Sequence, residues 1–487
     1  MSFVPRRFFS ALAAVLLFVS LRAIAAVPFV VQGPGVDTND FRVTVFASGL
    51  DFPLGMAELS DGSLLVNISQ GANYFSSAGR IVRFTDTNSD GVADDPGTTL
   101  YSGLSGTLTA LRVAGNLVIV TGSAKPIVVL RQGATPADPL TFVGQMTLSY
   151  PGGWSHQHSA LGLRRTPGYT NRYDLLFQIG SQSNFAVSTG TVSLTNSGIA
   201  GAIATLSGDS IYLITLMDDG VNVTATNITQ LADGLRNPAG FTFQSATGDL
   251  LFQDNGIDGA TGSADPVSAD ELNFIARTNI GDAVGFFGFP SNYISYRTNV
   301  FMGGAGVPPL IAFQPLPDPF TGHESEGPND ITFAPPGFPD GLNSGIFLGF
   351  HGRFSSGGTN NEENPVVYAS PTNGTYFHFI EGRQAGIGHL DGLLVTRDSL
   401  FVADLCTNGN AGAGAGQGVI YQIKSLVTPI PPTLELRVVD SQVELTWDRG
   451  HLQEADDVTG PWTDVDDAFS PYWVTPTGLR KFYRSWY

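Results

Sequence analysis

The chain has 487 residues, 42% of them apolar and 14% charged, with 59 glycines, 30 prolines and a formal net charge of −19. That length holds one large all-β domain and a small addition, and the Gly and Pro content suits many short strands joined by tight turns. The acidic balance excludes nucleic acid and anionic lipid as partners, the aromatic content excludes a disordered chain, and the single cysteine, Cys406, excludes an internal disulfide.

Residues 1–26 open the chain with Arg6 and Arg7, an apolar stretch over 8–21 and the small residues Ala23, Ala25 and Ala26. This pattern predicts a secretory signal peptide, and hence a periplasmic or extracellular protein. A membrane anchor is the competing reading, but the apolar stretch is short for one. No later stretch is long enough to span a bilayer, so the mature chain is expected to be free of membrane spans. Its acidity suits neutral ligands or cations.

From there the chain repeats itself. Apolar runs occupy residues 63–67, 116–120, 174–178, 249–253, 345–349 and 399–403. Each is followed by a second strand-like run: 80–84, 125–131, 210–216, 271–275, 364–369 and 418–423. One such pair buries too little alone, so the units must stack around an axis. The expected fold is all-β: a six-bladed β-propeller over residues 27–427. Residues 41–46 read as a strand that completes the last blade and closes the ring. Thr428-Pro429-Ile430-Pro431-Pro432 supplies a stiff linker over 428–432. Residues 433–487 read as a small C-terminal β-sandwich-like module. Its Trp447, Trp462, Tyr472, Trp473 and Tyr483 fill a small core or form a carbohydrate-binding face.

In a propeller, the loops entering the innermost strands and those leaving the second strands meet on one face near the axis. The entry loops carry Trp154, His156 and His158 in the third unit, Asn329 and Asp330 in the fifth, and His389 and Asp391 in the sixth. Gly49-Leu50-Asp51-Phe52-Pro53-Leu54-Gly55 and Gly234-Leu235-Arg236-Asn237-Pro238-Ala239-Gly240 parallel each other as entry loops. The exit loops add Gln182 and Asn184, then Gln253-Asp254-Asn255-Gly256, then His351 and Arg353, then Asp404 and Cys406. Any one of these could be ordinary turn chemistry; together they predict a site. Separately, Asp86-Thr87-Asn88-Ser89-Asp90-Gly91-Val92-Ala93-Asp94 follows the first nine positions of an EF-hand-type loop. Asp86, Asn88, Asp90 and Asp94 are its expected calcium ligands, and an acidic hairpin is the alternative.

Four stretches resemble the soluble sugar dehydrogenases that depend on pyrroloquinoline quinone (PQQ), including the glucose, sorbosone and aldose dehydrogenase-like proteins. They are the Arg236-Asn237-Pro238-Ala239-Gly240 entry loop, Asp270-Glu271-Leu272-Asn273 with Gly285-Phe286-Phe287-Gly288-Phe289-Pro290, His158-Ser159-Ala160-Leu161-Gly162-Leu163, and Phe350-His351-Gly352-Arg353 with the closing 418–423 run. The resemblance covers roughly residues 41–425 in unit order. It implies a quinoprotein that oxidises the anomeric or another alcohol hydroxyl of a sugar by hydride transfer to PQQ, assisted by Ca²⁺, with electrons passing to an external acceptor such as a cytochrome. It implies His158 as the general base, with His156 the neighbouring candidate. Arg236, Asn237, Gln253, His351, Arg353 and Arg383 would hold the acidic quinone, and Asp254, Asn255 and Gly256 would flank a calcium ion. The chain departs from the family pattern at Asp254-Asn255-Gly256-Ile257-Asp258 and at Ser159-Ala160. Those departures keep two alternatives open: a glycan- or protein-binding propeller without catalysis, and a calcium-dependent lactonase-type hydrolase using the same funnel.

Overall fold

A computed structural model describes residues 26–259, 265–314, 327–352, 365–465, 468–478 and 480–487. The expected leader therefore lies outside the described residues, apart from Ala26. No helix among the described residues is long and apolar enough to cross a membrane.

The six apolar runs of the sequence are all second strands of antiparallel sheets. The first sheet orders Pro53–Glu58, Leu64–Gln70, Ala78–Phe84 and Thr98–Ser105 from the inside outward. The second begins with Leu108–Ala114, the third with Leu161–Arg165, the fourth with Pro238–Phe243, the fifth with Pro328–Phe333 and the sixth with Gly392–Val395. Each of these innermost strands touches those of the two flanking sheets, and the first touches the last, so the ring is closed. The result is a β-propeller. The outermost strand of the sixth sheet is Phe41–Leu50, paired antiparallel to Gly418–Ser425, as the sequence led us to expect.

A half-exposed strand alternates apolar and polar residues, but these second strands read as continuous apolar runs because both faces are buried. Leu64, Val66 and Ile68 pack toward the sixth sheet with Phe46 and Phe401. Leu65, between them, packs toward the second sheet with Leu111 and Val118. The same division repeats around the ring, giving an apolar cluster between every pair of adjacent sheets.

The paired entry loops explain how the innermost strands come close. A Cβ on Gly55 would lie 2.5 Å from the Leu111 backbone nitrogen of the next sheet. A Cβ on Gly240, which has φ +62°, would lie 2.8 Å from Ile331 Cγ2. Both glycines sit where the innermost strand slips register against its partner. The second strand supplies amide side chains beneath the innermost strand. Asn67 Oδ1 accepts the Gly55 N–H at 2.8 Å, and Gln178 Oε1 accepts the Ala160 N–H at 3.2 Å.

The second sheet recruits two strands that simple unit order does not foresee. Thr191–Ser197 and Ala204–Ser207 lie in sequence between the second and third strands of the third sheet, yet they extend the second sheet beyond Thr141–Ser149. They cover what would be an exposed edge.

After Ser425 the chain forms two three-stranded sheets. One holds Leu434–Val439, Gln442–Trp447 and Tyr472–Val474; the other holds Thr463–Asp464, His451–Ala455 and Phe482–Trp486. Their shared core of Leu445, Trp447, Leu452 and Ala468 includes Ala246, from the turn between the first two strands of the propeller's fourth sheet. The Ser470 N–H donates to Ala246 O at 2.8 Å, and Arg277 lies 4.7 Å over the Phe469 ring. Trp447 is buried, and Trp462 and Trp486 each stack on Arg484 at 4.5 Å.

Candidate functional site

A cavity of about 660 Å³ opens among the entry and exit loops. Its walls include His156, Arg236, Asn237, Asn255, Asp258, Asn329, His351 and Asp391, contributed by the third to sixth sheets. Tyr74, Phe75, Thr107 and Thr109 complete it from the first two.

The two candidate bases part company here. His158 is 1% exposed and does not line the cavity. Its Nε2 lies 2.6 Å from Lys125 O, and its Nδ1 lies 2.9 Å from the Tyr150 hydroxyl. Tyr150 OH also accepts the His158 backbone N–H at 2.9 Å. Both ring nitrogens are therefore spent, and the expectation that His158 is the base is corrected: it is a satisfied structural histidine. His156 lines the cavity instead. Its Nδ1 lies 2.8 Å from Ser181 Oγ, and its Nε2 has no hydrogen-bond partner among the described residues. Burial, reinforced by the nearby Arg236 guanidinium, lowers the His156 pKa to about 3, so the ring is neutral at physiological pH and can accept a proton.

Arg236 is 4% exposed. Its Nε donates to Asn184 Oδ1 at 2.8 Å and its Nη2 to Asp258 Oδ2 at 2.5 Å. Asn184 also binds the Asp258 backbone, accepting its N–H at 3.1 Å and donating to its carbonyl at 3.3 Å. Asp254 was expected beside a metal. Both of its oxygens instead accept backbone N–H groups, from Arg236 at 2.9 Å and Asn237 at 2.7 Å. It thus shapes the Arg236-Asn237 loop from below, and burial raises its pKa to about 7. Asn255 Nδ2 donates to Asn237 O at 2.9 Å, and the Gly256 N–H donates to Asp270 Oδ1 at 2.6 Å.

The remaining expected residues scatter. Gln253 is fully buried beneath Gly240 and is absent from the cavity wall, so its place as a cofactor ligand is also corrected. It is the fourth sheet's counterpart of Asn67 and Gln178. Arg383 is exposed and does not line the cavity, which corrects its expected role. Arg353 lies outside the described residues. His351 does line the cavity. Its Nδ1 bonds Asp391 Oδ2, which also accepts Asn329 Nδ2 at 3.2 Å, and its ring stacks on His389 at 4.4 Å. Burial lowers the His351 pKa and raises that of Asp391, so the pair shares one proton.

The acidic loop at Asp86–Asp94 stands apart from the cavity. Asp86 accepts the N–H groups of Asp90 and Gly91, Asp90 accepts that of Val92, and Asp94 accepts that of Thr87. Among the described residues no group of three or more His, Cys, Asp or Glu side chains is arranged to hold a metal. A wall residue, Phe75, and a buried residue that supports the wall at His156, Ser181, escaped sequence reasoning. Ser181 was hidden in a polar Gly-Ser-Gln-Ser-Asn turn, and Phe75 looked like one more loop aromatic. Their place behind the second strands of the third and first sheets was the available signal.

No family model matches the chain, and no curated protein matches it. Solved structures do. The holo form of the PQQ domain of pyranose dehydrogenase from Coprinopsis cinerea is 17% identical, with a TM-score of 0.50, over 79% of this chain and 96% of that one. The iodide structure of the carbohydrate-active enzyme family AA12 protein from Trichoderma reesei is 16% identical, with a TM-score of 0.50, over 82% and 98%. The calcium structure of the Trichoderma reesei protein gives 15% identity at the same TM-score. The chain has the propeller fold of these proteins, the fold class expected from its sequence. Its particular form of it has the module after Ser425 and a cavity with two imidazoles, one guanidinium and several carboxamides on its walls.

Proposed function

We propose that this chain is a PQQ-dependent dehydrogenase that oxidises the anomeric or another alcohol hydroxyl of a sugar, with His156 as its general base. One observation carries this reading: His156 is neutral, half-buried and lines, with an unpartnered Nε2, the cavity that Arg236 and Asn237 also line. The sugar dehydrogenase neighbours support it. The residues present fit an acidic quinone. Arg236 already carries a carboxylate, that of Asp258, on its outward edge, and Asn237 and Asn255 offer carboxamides nearby. These three residues would hold the cofactor, which when bound supplies the acceptor for hydride. His156 Nε2 takes the hydroxyl proton of the substrate as its C–H bond is broken. Arg236 fixes orientation as a planar fork.

Calcium fits less well. Asp254 is committed to two backbone N–H groups, so no step here runs through a metal. The leader reading of residues 1–26 supports a site outside the cytoplasm, with electrons leaving to an external acceptor such as a cytochrome.

The test is sugar-dependent reduction of an artificial dye by purified protein after addition of PQQ and Ca²⁺. His156→Ala should lower turnover by about 10²–10⁴-fold while the absorbance change on PQQ binding is retained. Unimpaired turnover in His156→Ala would remove this mechanism. The pairing of Asp258 with Arg236 favours a second reading, a glycan-binding propeller. That reading predicts no absorbance change with PQQ but saturable glycan binding.

A further inference from the structure

We infer that Ser181 is a positioning residue that fixes His156 as the Nδ1–H tautomer and so keeps a lone pair on Nε2 in the cavity. The inference rests on the reading of His156 as the base, and its argument is one of counting hydrogens.

A serine hydroxyl has a single hydrogen to donate. Ser181 Oγ lies 2.7 Å from Ser183 O, a carbonyl that can only accept, so the hydroxyl hydrogen is committed there. His156 Nδ1 lies 2.8 Å from the same Oγ. With the hydroxyl spent, that second bond needs its hydrogen on Nδ1. A neutral imidazole has one N–H, so Nε2 is left bare. Neutrality itself follows from burial and from the Arg236 guanidinium.

Ser181 is 0% exposed and held at its backbone. Its N–H donates to Arg236 O at 2.6 Å, and its carbonyl accepts the His156 N–H at 3.1 Å. The serine, the base and the Arg236 backbone therefore share one hydrogen-bonded frame. A frame of this kind sets an imidazole's tautomer through the partner of its other nitrogen.

The choice of a hydroxyl has a chemical consequence. A carboxylate at this position would offer a counter-charge to the imidazolium formed when the substrate proton arrives. Serine offers none. The other charged or titratable groups lining the cavity are Tyr74, Arg236, Asp258, His351 and Asp391. Burial keeps Tyr74 neutral, and its hydroxyl donates to Leu108 O at 3.0 Å. Arg236 repels the imidazolium, Asp258 is paired to Arg236, and His351 and Asp391 are paired to each other. The base therefore takes its proton briefly and releases it readily. The rate profile should show no inflection near pH 6.5.

The first test needs no cofactor. Protein labelled with ¹⁵N-histidine is compared with His156→Asn to assign the ring signals. The expected spectrum has a protonated, pyrrole-like Nδ1 and a bare, pyridine-like Nε2 at neutral pH. Ser181→Ala should mix the two tautomers and lower kcat by about 10–100-fold with little change in KM, while Ser181→Thr restores the Nδ1–H signal. Ser181→Asp should raise the pH at which activity falls on the acid side. An Nε2–H signal in the unaltered protein overturns the inference, as does a Ser181→Ala spectrum identical to it. Should the spectrum come out as expected in a protein that oxidises no sugar, the tautomer assignment stands and the dehydrogenase reading falls. If Ser181→Ala does not fold, the unaltered and Ser181→Thr spectra decide alone.

Discussion

His156 and His158 stand two residues apart in one entry loop, and their environments give them opposite duties. Residues two apart in extended chain point the same way, so spacing could not choose between them. The choice was made by Tyr150 OH and Lys125 O, which close around His158 from distant parts of the sequence. His158→Ala leaves the Lys125 carbonyl without its ring partner, while Tyr150 OH keeps only the backbone N–H of residue 158, so it should cost about 1–3 kcal/mol, read as a lower denaturant midpoint with PQQ binding and KM unchanged. Asp258 carries a second prediction. It is exposed on one side and occupies the guanidinium that an acidic cofactor would use. Asp258→Asn should therefore tighten PQQ binding by about 5–30-fold in an absorbance titration. Weaker binding would show that Asp258 orders Arg236 rather than competing for it. Arg236, Asn237, Asn255 and His351 were legible as wall residues because they lie in loops adjoining recognisable strands. Gln253 misled because a polar residue at the end of an apolar run looks like a ligand. It holds the same place on its strand as Asn67 and Gln178 but lies buried under Gly240, a placement visible only once the bulge above it is seen.

At the scale of elements, the second strands were readable and the outer strands were not. Second strands are buried on both faces, which writes them as unbroken apolar runs. Outer strands such as Ile311–Ala312 have only two residues and follow a long irregular excursion. The Thr191–Ser197 strand crosses to another sheet altogether, and a reading that assumes each unit is local in sequence has no means of finding that. The glycines of the twin entry loops were visible as a repeat, though their reason is steric. Gly55→Ala would drive a methyl group into the Leu111 backbone. The expected loss is about 1–3 kcal/mol, measured by chemical denaturation. Gly152→Ala, where nothing lies within 4 Å, is the control and should change stability by less than about 0.5 kcal/mol.

For the whole molecule, buried titratable groups set how stability responds to pH. His156, His158 and His389 are depressed by burial to about 3, 4 and 4. Asp254, Asp404 and Glu271 are raised by burial to about 7, 7 and 8. Between about pH 4.5 and 6.5 the unfolded chain binds extra protons at the three imidazoles, and the folded chain binds extra protons at the three carboxyls. These opposing slopes cancel, so the melting temperature should be nearly flat there. Below about pH 4.5 only the imidazole effect persists, and stability falls as pH drops. Above about pH 6.5 only the carboxyl effect persists, and stability falls until those groups ionise near pH 8. A maximum of the melting curve above pH 8 would contradict this balance. None of it could be read from composition, because a histidine or aspartate count does not say which are buried.

The pairing of Phe41–Leu50 with Gly418–Ser425 joins strands nearly four hundred positions apart in the sequence. A strand made early in synthesis is thus among the last to find its neighbour. Until the sixth sheet has been synthesised, every nascent molecule carries an unzipped β edge at one end and an incomplete circle at the other, a state open to proteases and to swapping with a sister chain. Shortening the chain anywhere before Gly418 should therefore loosen its opposite end.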